Sequence, residues 1–438
     1  MQHSHEISSP EYDRVAVAEL GRTPGIESAR LFKNAAQRRN LTGAELVLAR
    51  TAREEIQQRA RRISALTEKV AGLPLTADEC SVLRPPFGRA THLPSPDRPY
   101  VHLAVHTGQG GVSVTPVWAA AAGGNVVLST VENRIKARAT ALDPLVALSV
   151  PAGVGSQICL EIGGFARQSP DSERELIRTL ARMYSKPKVG EQVDGNYTSW
   201  DQRERNERLR LEILAYRVRN ELGDDPVCRS APYVQELAPR FRTADAARPS
   251  GRGSHDEFWG PDERYGEDEP ELRGARDELA ILGMTRRGKE STYRSLSPTY
   301  GHLACFDHHG LLRCRQIGFD VIDVKGEARI SFLVKKRDTG TLRKNPAVAV
   351  SVAQYSSGSV WLQAQGLIQF HDDPGMVQDA VHRLESRYNR VHHRSALDLG
   401  QGGSRPEDHV LATLSRQKLS SRYRETERSL RSAHALGK

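Results

Sequence analysis

From Tyr100 onward the chain alternates. Val101, Leu103 and Val105 interleave with His102, Ala104 and His106, a period of two that predicts a strand. Val112 to Trp118 and Val126 to Ser129 predict two more, separated by the turns Gly108-Gln109-Gly110-Gly111 and Gly123-Gly124-Asn125. Thr130 to Leu142 is long enough for about three helical turns, and Asp143-Pro144 stops it. Apolar strands follow at Leu145–Val150 and Cys159–Ala166, then an amphipathic helix over 171–185.

This order returns near the C-terminus. His302–Phe306, Leu311–Val321 and Ala328–Val334 read as strands, Asp338–Lys344 as a short helix before Asn345-Pro346, and Ala347–Ala353 and Val360–Phe370 as strands. Asp373-Pro374 opens a helix reaching Asn389. His102-Leu103-Ala104 matches His302-Leu303-Ala304 at a shift of 200 residues. Ser129, Pro144, Ser149 and Gly164 match Ser331, Pro346, Ser351 and Gly366 at a shift of 202. A near-constant shift identifies an internal repeat of one structural unit.

The flanking segments read differently. Residues 1–24 are a tail, and Ile26–Ala71 is helical and highly charged, with Thr42 and Glu45 spaced as a capping box. Thr76 and Glu79 open a second short helix. Trp200–Asn220 is expected to be helical, and 243–271, rich in Gly, Pro and charge, a linker carrying Phe258 and Trp259. A basic helix is expected near 406–433. The expected units are therefore 1–85, a first barrel over 86–186, a central helix and linker over 187–275, a second barrel over 276–392, and a basic tail over 393–438.

Composition narrows this moderately. A chain of 438 residues exceeds one core and calls for at least two. A net charge of +9, from 63 basic and 54 acidic residues, favours anionic partners, phosphate groups among them. Five scattered cysteines imply no disulfide framework. No apolar run is long enough for a signal peptide or a membrane span, so a cytoplasmic setting without membrane contact is expected. Cys305, His308, His309 and Cys314 lack zinc-finger spacing, and no metal is expected. No residue stands out as a general acid; His102, His106, His302 and Tyr300 are candidates.

The chemistry concentrates where the third strand meets the helix. Ser129 and Thr130 offer hydroxyls beside a helix N-terminus, with Arg134, Lys136 and Arg138 at alternating positions. Helix-end amides and charge-assisted hydrogen bonds favour phosphate there. The strand Val114-Thr115-Pro116-Val117-Trp118 has a proline suited to a sheet edge and presents a flat apolar border.

Taken together, Thr115-Pro116-Val117-Trp118, Leu128-Ser129-Thr130, Arg134-x-Lys136-x-Arg138 and Leu142-Asp143-Pro144 resemble the flavin-binding split-barrel superfamily, which includes pyridoxamine 5′-phosphate oxidase and deazaflavin-dependent reductases. The resemblance covers 100–185, with a weaker copy over 290–390. It implies a mainly β, α+β fold. Two six-stranded antiparallel split barrels would stand in one chain, with N-terminal, central and C-terminal helical segments around them. It further implies an oxidoreductase using FMN or the deazaflavin coenzyme on a small organic substrate. Phosphate would be held by Ser129, Thr130, Arg134 and Lys136, and the ring by Thr115, Pro116, Val117 and Trp118. A homodimer is the usual assembly of such units, and two barrels in one chain can build that interface internally.

The second copy departs from the pattern. Arg315-Gln316-Ile317 stands where Thr115-Pro116-Val117 stands, Asp338 replaces Lys136, and Phe332 or Val334 replaces Thr130. An aspartate facing a phosphate repels it, although Lys335, Lys336 and Arg337 lie beside it. One competent cofactor site is expected, with Arg315, Trp361 and Gln363 contributed by the second barrel. The alternative is a haem-binding or non-catalytic split barrel that has lost flavin. A nucleic-acid-associated reading ranks last, since no binding motif accompanies the basic helices.

Overall fold

The computed structural model describes residues 42–70, 72–83, 100–107, 111–152, 159–184, 207–221, 227–231, 233–234, 300–324, 327–354, 360–388 and 406–422. The tail, the linker with Phe258 and Trp259, and Ile26 to Leu41 lie outside these residues.

Two antiparallel sheets carry the fold. The first is built from β1 (Val101–His106), β2 (Val112–Val117), β3 (Ala119–Ala122), β4 (Asn125–Val131), β5 (Leu145–Pro151), β6 (Cys159–Pro170) and β7 (Arg208–Asn220), in the order β2-β1-β5-β6-β7-β4-β3; β8 (Val227–Ser230) pairs with β7. The second is built from β9 (Gly301–Phe306), β10 (Leu312–Ile317), β11 (Asp320–Val324), β12 (Glu327–Lys335), β13 (Ala347–Gln354), β14 (Val360–His371) and β15 (His409–Arg422), in the order β10-β9-β13-β14-β15-β12-β11. The two orders are the same. Helices α1 (Gly43–Glu68), α2 (Ala77–Leu83), α3 (Ile135–Leu142), α4 (Glu175–Tyr184), α5 (Lys336–Lys344) and α6 (Pro374–Tyr388) flank them.

The repeat extends to single hydrogen bonds. The Ala166 amide donates to the Pro144 carbonyl at 2.7 Å, and Ile368 to Pro346 at 2.9 Å. The register slips between Gly163 and Gly164 in β6 and between Gln365 and Gly366 in β14. These are matched β-bulges, which bend a long strand so that a sheet can curl. The first bulge requires glycine on both sides. A Cβ at Gly163 would meet the Tyr216 ring at 2.8 Å, and one at Gly164 would meet Ile213 Cγ2 at 2.7 Å.

Three sequence expectations are corrected. Each sheet has seven strands in its ordered path, not six. Of the expected helix at Trp200–Asn220, the described residues Arg208–Asn220 are strand β7, which pairs β6 to β4 and so completes the first sheet. Leu209, Leu211 and Ile213 alternate with Arg208, Arg210 and Glu212, but Leu214 and Tyr216 are buried on the other face and obscured the period of two. Of the expected helix near 406–433, the described residues His409–Arg422 form β15, the matching strand of the second sheet, and 423–433 lie outside the described residues. Val410, Leu411, Ala412, Thr413 and Leu414 are buried in succession, a pattern that periodicity alone cannot separate from a helix.

Each sheet encloses its own core. Val101, Leu103, Leu128, Leu148, Leu160 and Leu211 fill the first, and Leu303, Phe332, Val350, Leu362 and Leu414 the second. Ala104, Val112, Val114 and Ala147 of the first pack on Ala304, Leu312, Cys314 and Ala349 of the second. The charged helix α1 lies on α3 and β6. Arg59 donates to the Leu142 carbonyl at 2.9 Å, and Ser64 to the Gln168 carbonyl at 2.9 Å. At α2 the Thr76 and Glu79 backbone and side-chain groups bond reciprocally, as a capping box requires.

Candidate functional site

The two barrels meet about a local two-fold axis, marked by a stack of equivalent residues. The rings of His102 and His302 lie 3.5 Å apart, with 11° between their planes. Both are fully buried. His302 Nδ1 is 2.9 Å from Ser149 Oγ, while neither ring nitrogen of His102 has a partner among the described residues. Burial pushes His302 down to about 3, and burial together with the charge of His302 lowers His102. These histidines are neutral packing groups at the axis. His106 Nδ1 is 2.7 Å from Asp143 Oδ2, so it too is engaged. The rings of His308 and His309 lie 3.7 Å apart and tilted at the β9–β10 turn, and among the described residues no cluster of His, Cys, Asp or Glu could hold a metal ion.

Either side of the axis lie two equivalent junctions, each joining a strand end to a helix N-terminus. At the first, β4 runs into α3. Val126 and Leu128 face the barrel core, so Thr130 does as well, and it is fully buried. Ser129 takes the opposite face with Val127, which packs under α4 against Ala120 and Leu180. The two hydroxyls proposed for one phosphate therefore point apart. Ser129 Oγ, like Thr130 Oγ1 on the core face, is buried with no hydrogen-bond partner among the described residues.

Beyond Ser129 the helix opens without an acid. Arg134 is the extended N-cap residue of α3 and makes no side-chain cap, and no carboxylate stands in the first turn. Lys136 is in that turn. Arg138 folds back onto the Asn133 carbonyl. The nearby carboxylate, Glu132, is drawn off by α1: Arg53 Nη2 and Gln57 Nε2 each donate to it at 2.7 Å. Neither Arg53 nor Gln57 was expected from the sequence, because the helical register of α1 gives no hint of which face meets α3.

The ring-strand candidates divide. Among the described residues β2 is an edge strand bonded only to β1, so Thr115 and Pro116, both half-buried, border a sheet edge without ladder bonds. The proline is where an unpaired edge tolerates it. Val117 is part of the barrel core and offers backbone only. Trp118 lies on the Ser129 side: β3 and β4 pair Ala119 with Leu128, and one further step sets Trp118 opposite Ser129. Its ring stacks on Tyr184 at 5.6 Å, and the Tyr184 hydroxyl donates to the Ala119 carbonyl at 3.0 Å. From the second barrel, Gln363 Nε2 donates to Ser113 Oγ at 2.7 Å, bringing β14 against the β2 edge. Trp361 lies in the same strand, paired with Ala353.

The second junction has the same backbone and opposite chemistry. Where Ser113 meets Gln363, its counterpart Arg313 donates to Glu161 at 2.7 Å. Burial opposes ionisation of Glu161, yet Arg313, then Arg219 and Arg315, hold its carboxyl below the usual range. Arg315 reaches Asp338 at 3.6 Å, and Asp338 occupies the first turn of α5. The anion position at that helix is taken by the protein's own carboxylate. Glu161, Arg313, Arg219 and Glu221 were missed in the sequence. The repeat held the signal, since Glu161 and Arg313 occupy the places of Gln363 and Ser113.

No protein-family model and no curated protein matches the chain. Among solved structures, the chain is similar to an F420 Reductase, at 25% identity over 28% of this chain and 90% of that one, with a TM-score of 0.23. It is similar to an FAD-binding protein from Mesorhizobium loti at 19% identity, covering 28% and 85%, with a TM-score of 0.22. A NimC/NimA family protein from Clostridium acetobutylicum is 15% identical, covering 28% and 82%, with a TM-score of 0.20. The chain itself carries two antiparallel sheets of one strand order. Among the described residues, no helix is long and apolar enough to cross a membrane.

Proposed function

We propose that the chain is a flavin-dependent oxidoreductase, using FMN or the deazaflavin coenzyme on a small organic substrate, with one cofactor held at the first junction. The observation that carries the proposal is the unpartnered, buried Ser129 Oγ beside a helix start with no acid in its first turn. A buried hydroxyl left without a partner costs free energy, and an anion against it and the α3 amides offsets that cost. Arg134 and Lys136 supply charge for the same anion. Thr130 has no part in it and fills the core.

When bound, the cofactor supplies the hydride transfer. The chain's own residues bind and orient. Arg53 and Gln57 hold Glu132 away, so that no carboxylate opposes the phosphate. Thr115 and Pro116 give the ring an unbonded strand edge. Gln363, held by Ser113, would bring the second barrel against that edge and limit water there.

An absorption spectrum of the purified chain, with titration of FMN, the deazaflavin coenzyme and haem, tests the reading. A flavin or deazaflavin band that follows bound cofactor supports it. A colourless chain that takes up neither, or one that binds haem alone with a Soret band, overturns it.

A further inference from the structure

The two barrels are joined by small side chains and by groups that titrate. The apolar layer between them sets Ala104, Val112, Val114 and Ala147 against Ala304, Leu312, Cys314 and Ala349. Alanines bury little apolar area each, so this layer stabilises less than the cores of larger side chains that each sheet encloses for itself. Two ion pairs cross from barrel to barrel, Arg313 with Glu161 at 2.7 Å and Arg217 with Asp307 at 2.9 Å. At the axis the rings of His102 and His302 stack at 3.5 Å. A protonated imidazole donates from both nitrogens and needs an acceptor at each. Among the described residues His102 has none at either, and His302 has only Ser149 Oγ. Ser351, the counterpart of Ser149, is buried with its hydroxyl unpartnered as well. A charge on this stack would meet another ring and no counter-ion.

Acid moves these groups in one direction. Burial lowers both histidines, and His302 lowers His102 further, from an ordinary value of 6.5. Their neutral contribution is complete above 6.5 and is lost as pH falls below it. Burial opposes ionisation of Glu161, yet Arg313, Arg219 and Arg315 hold it below its ordinary 4.5, so its ion pair is present above 4.5 and is lost as pH falls through the lowered value. Glu221, which pairs with Arg219 at 2.9 Å, is raised by burial and then by Glu161. It therefore discharges before Glu161 and leaves Arg219 and Arg313 sharing one carboxylate. Arg315, the remaining cation of β10 at this face, is 3.6 Å from Asp338 of α5. Protonating Asp307 likewise ends its pair with Arg217. We infer that the contact between the barrels is an acid-labile joint: protonation of the His102–His302 stack, followed by that of Glu161, parts the barrels while each sheet keeps its own core. The joint does not depend on the cofactor reading of the first junction.

The cysteines report on the joint from different places. Cys314 Sγ lies 3.7 Å from the His102 carbonyl across the interface, Cys80 packs in the first core, Cys305 packs in the second, and Cys228 is exposed. The full chain, with no cofactor added, is treated with a dipyridyl disulfide, which exchanges with thiols even in acid, at steps from about pH 7 to about pH 4. Peptide mass spectrometry then reads each cysteine separately. Cys228 should label throughout. Cys314 should label roughly tenfold faster at about pH 4 than at about pH 7, while Cys80 and Cys305 stay protected and circular dichroism keeps its strand signal. His102→Gln/His302→Gln should move the midpoint of Cys314 labelling about one pH unit lower. Protection of Cys314 throughout the series, simultaneous labelling of Cys314, Cys80 and Cys305, or an unchanged midpoint in the folded double variant overturns the joint. If the double variant does not fold, the order of labelling in the unsubstituted chain decides alone.

Discussion

The two strand-to-helix junctions share a backbone and differ in where their charges point. At the first, Ser113 meets Gln363 through a neutral hydrogen bond and the α3 start carries no acid. At the second, Arg313 meets Glu161 through an ion pair and the α5 start carries Asp338. A duplicated unit need supply its site only once. On the proposed reading the site lies at β4–α3, and the other junction is an ionic contact between barrels. The barrels are thus related by symmetry in fold and not in chemistry.

The largest expected effect is on stability. Glu161→Leu strands the Arg313 guanidinium in a part-buried interface and should cost about 3 kcal/mol. Gln363→Leu removes only a neutral bond to Ser113 and should cost about 1 kcal/mol. Urea unfolding of both variants measures the contrast, and equal losses would mean that the junctions are equivalent after all.

Next in size is cofactor affinity. Arg134→Ala with Lys136→Ala should weaken FMN or deazaflavin binding roughly 30-fold, about 2 kcal/mol. Arg315→Gln should leave it unchanged by fluorescence titration, because Arg315 already faces Asp338.

The axis itself responds to acid. His302 is held at about 3 and His102 is also lowered, against an ordinary value of 6.5. Below 6.5 the unfolded chain binds protons that the folded chain refuses. The contribution of the neutral pair is therefore complete above pH 6.5 and is lost as pH falls towards 3. His302 adds a slope of about 1.4 kcal/mol per pH unit between 6.5 and about 3, and His102 acts in the same direction. Replacing His302 with Gln should flatten the stability-against-pH curve there, read by thermal or urea unfolding at a series of pH values.

The smallest effect separates neighbours. Ser129→Ala should weaken cofactor binding about fivefold, near 1 kcal/mol. Thr130→Val, on the core face, should leave affinity where it was.

How much of this was legible in the sequence follows from the physics of each element. The repeat was visible because Pro144 and Gly164 serve backbone needs that recur at Pro346 and Gly366, a helix end and a bulge, while Ser149 and Ser351 hold equivalent places beside the stacked histidines. Strand β7 was not, because Leu214 and Tyr216 are buried on its second face and gave the stretch a helical look. Ser129 and Thr130 read as a pair of hydroxyls, and only the strand's period of two, applied from Leu128, separates them. The partners across the axis, Glu161 with Arg313 and Ser113 with Gln363, join residues too far apart for local pattern to couple. Trp118 was chosen for a cofactor ring; its observed partner is Tyr184 of α4, a contact no spacing rule supplies.

Cofactor stoichiometry is the most direct test of divided junctions. Saturating the chain with FMN or the deazaflavin coenzyme, removing the excess and counting bound cofactor per polypeptide should give one. That one should be lost in Arg134→Ala/Lys136→Ala and retained in Arg315→Gln. Two cofactors per chain, or one that survives the first substitution and is lost in the second, would contradict the account.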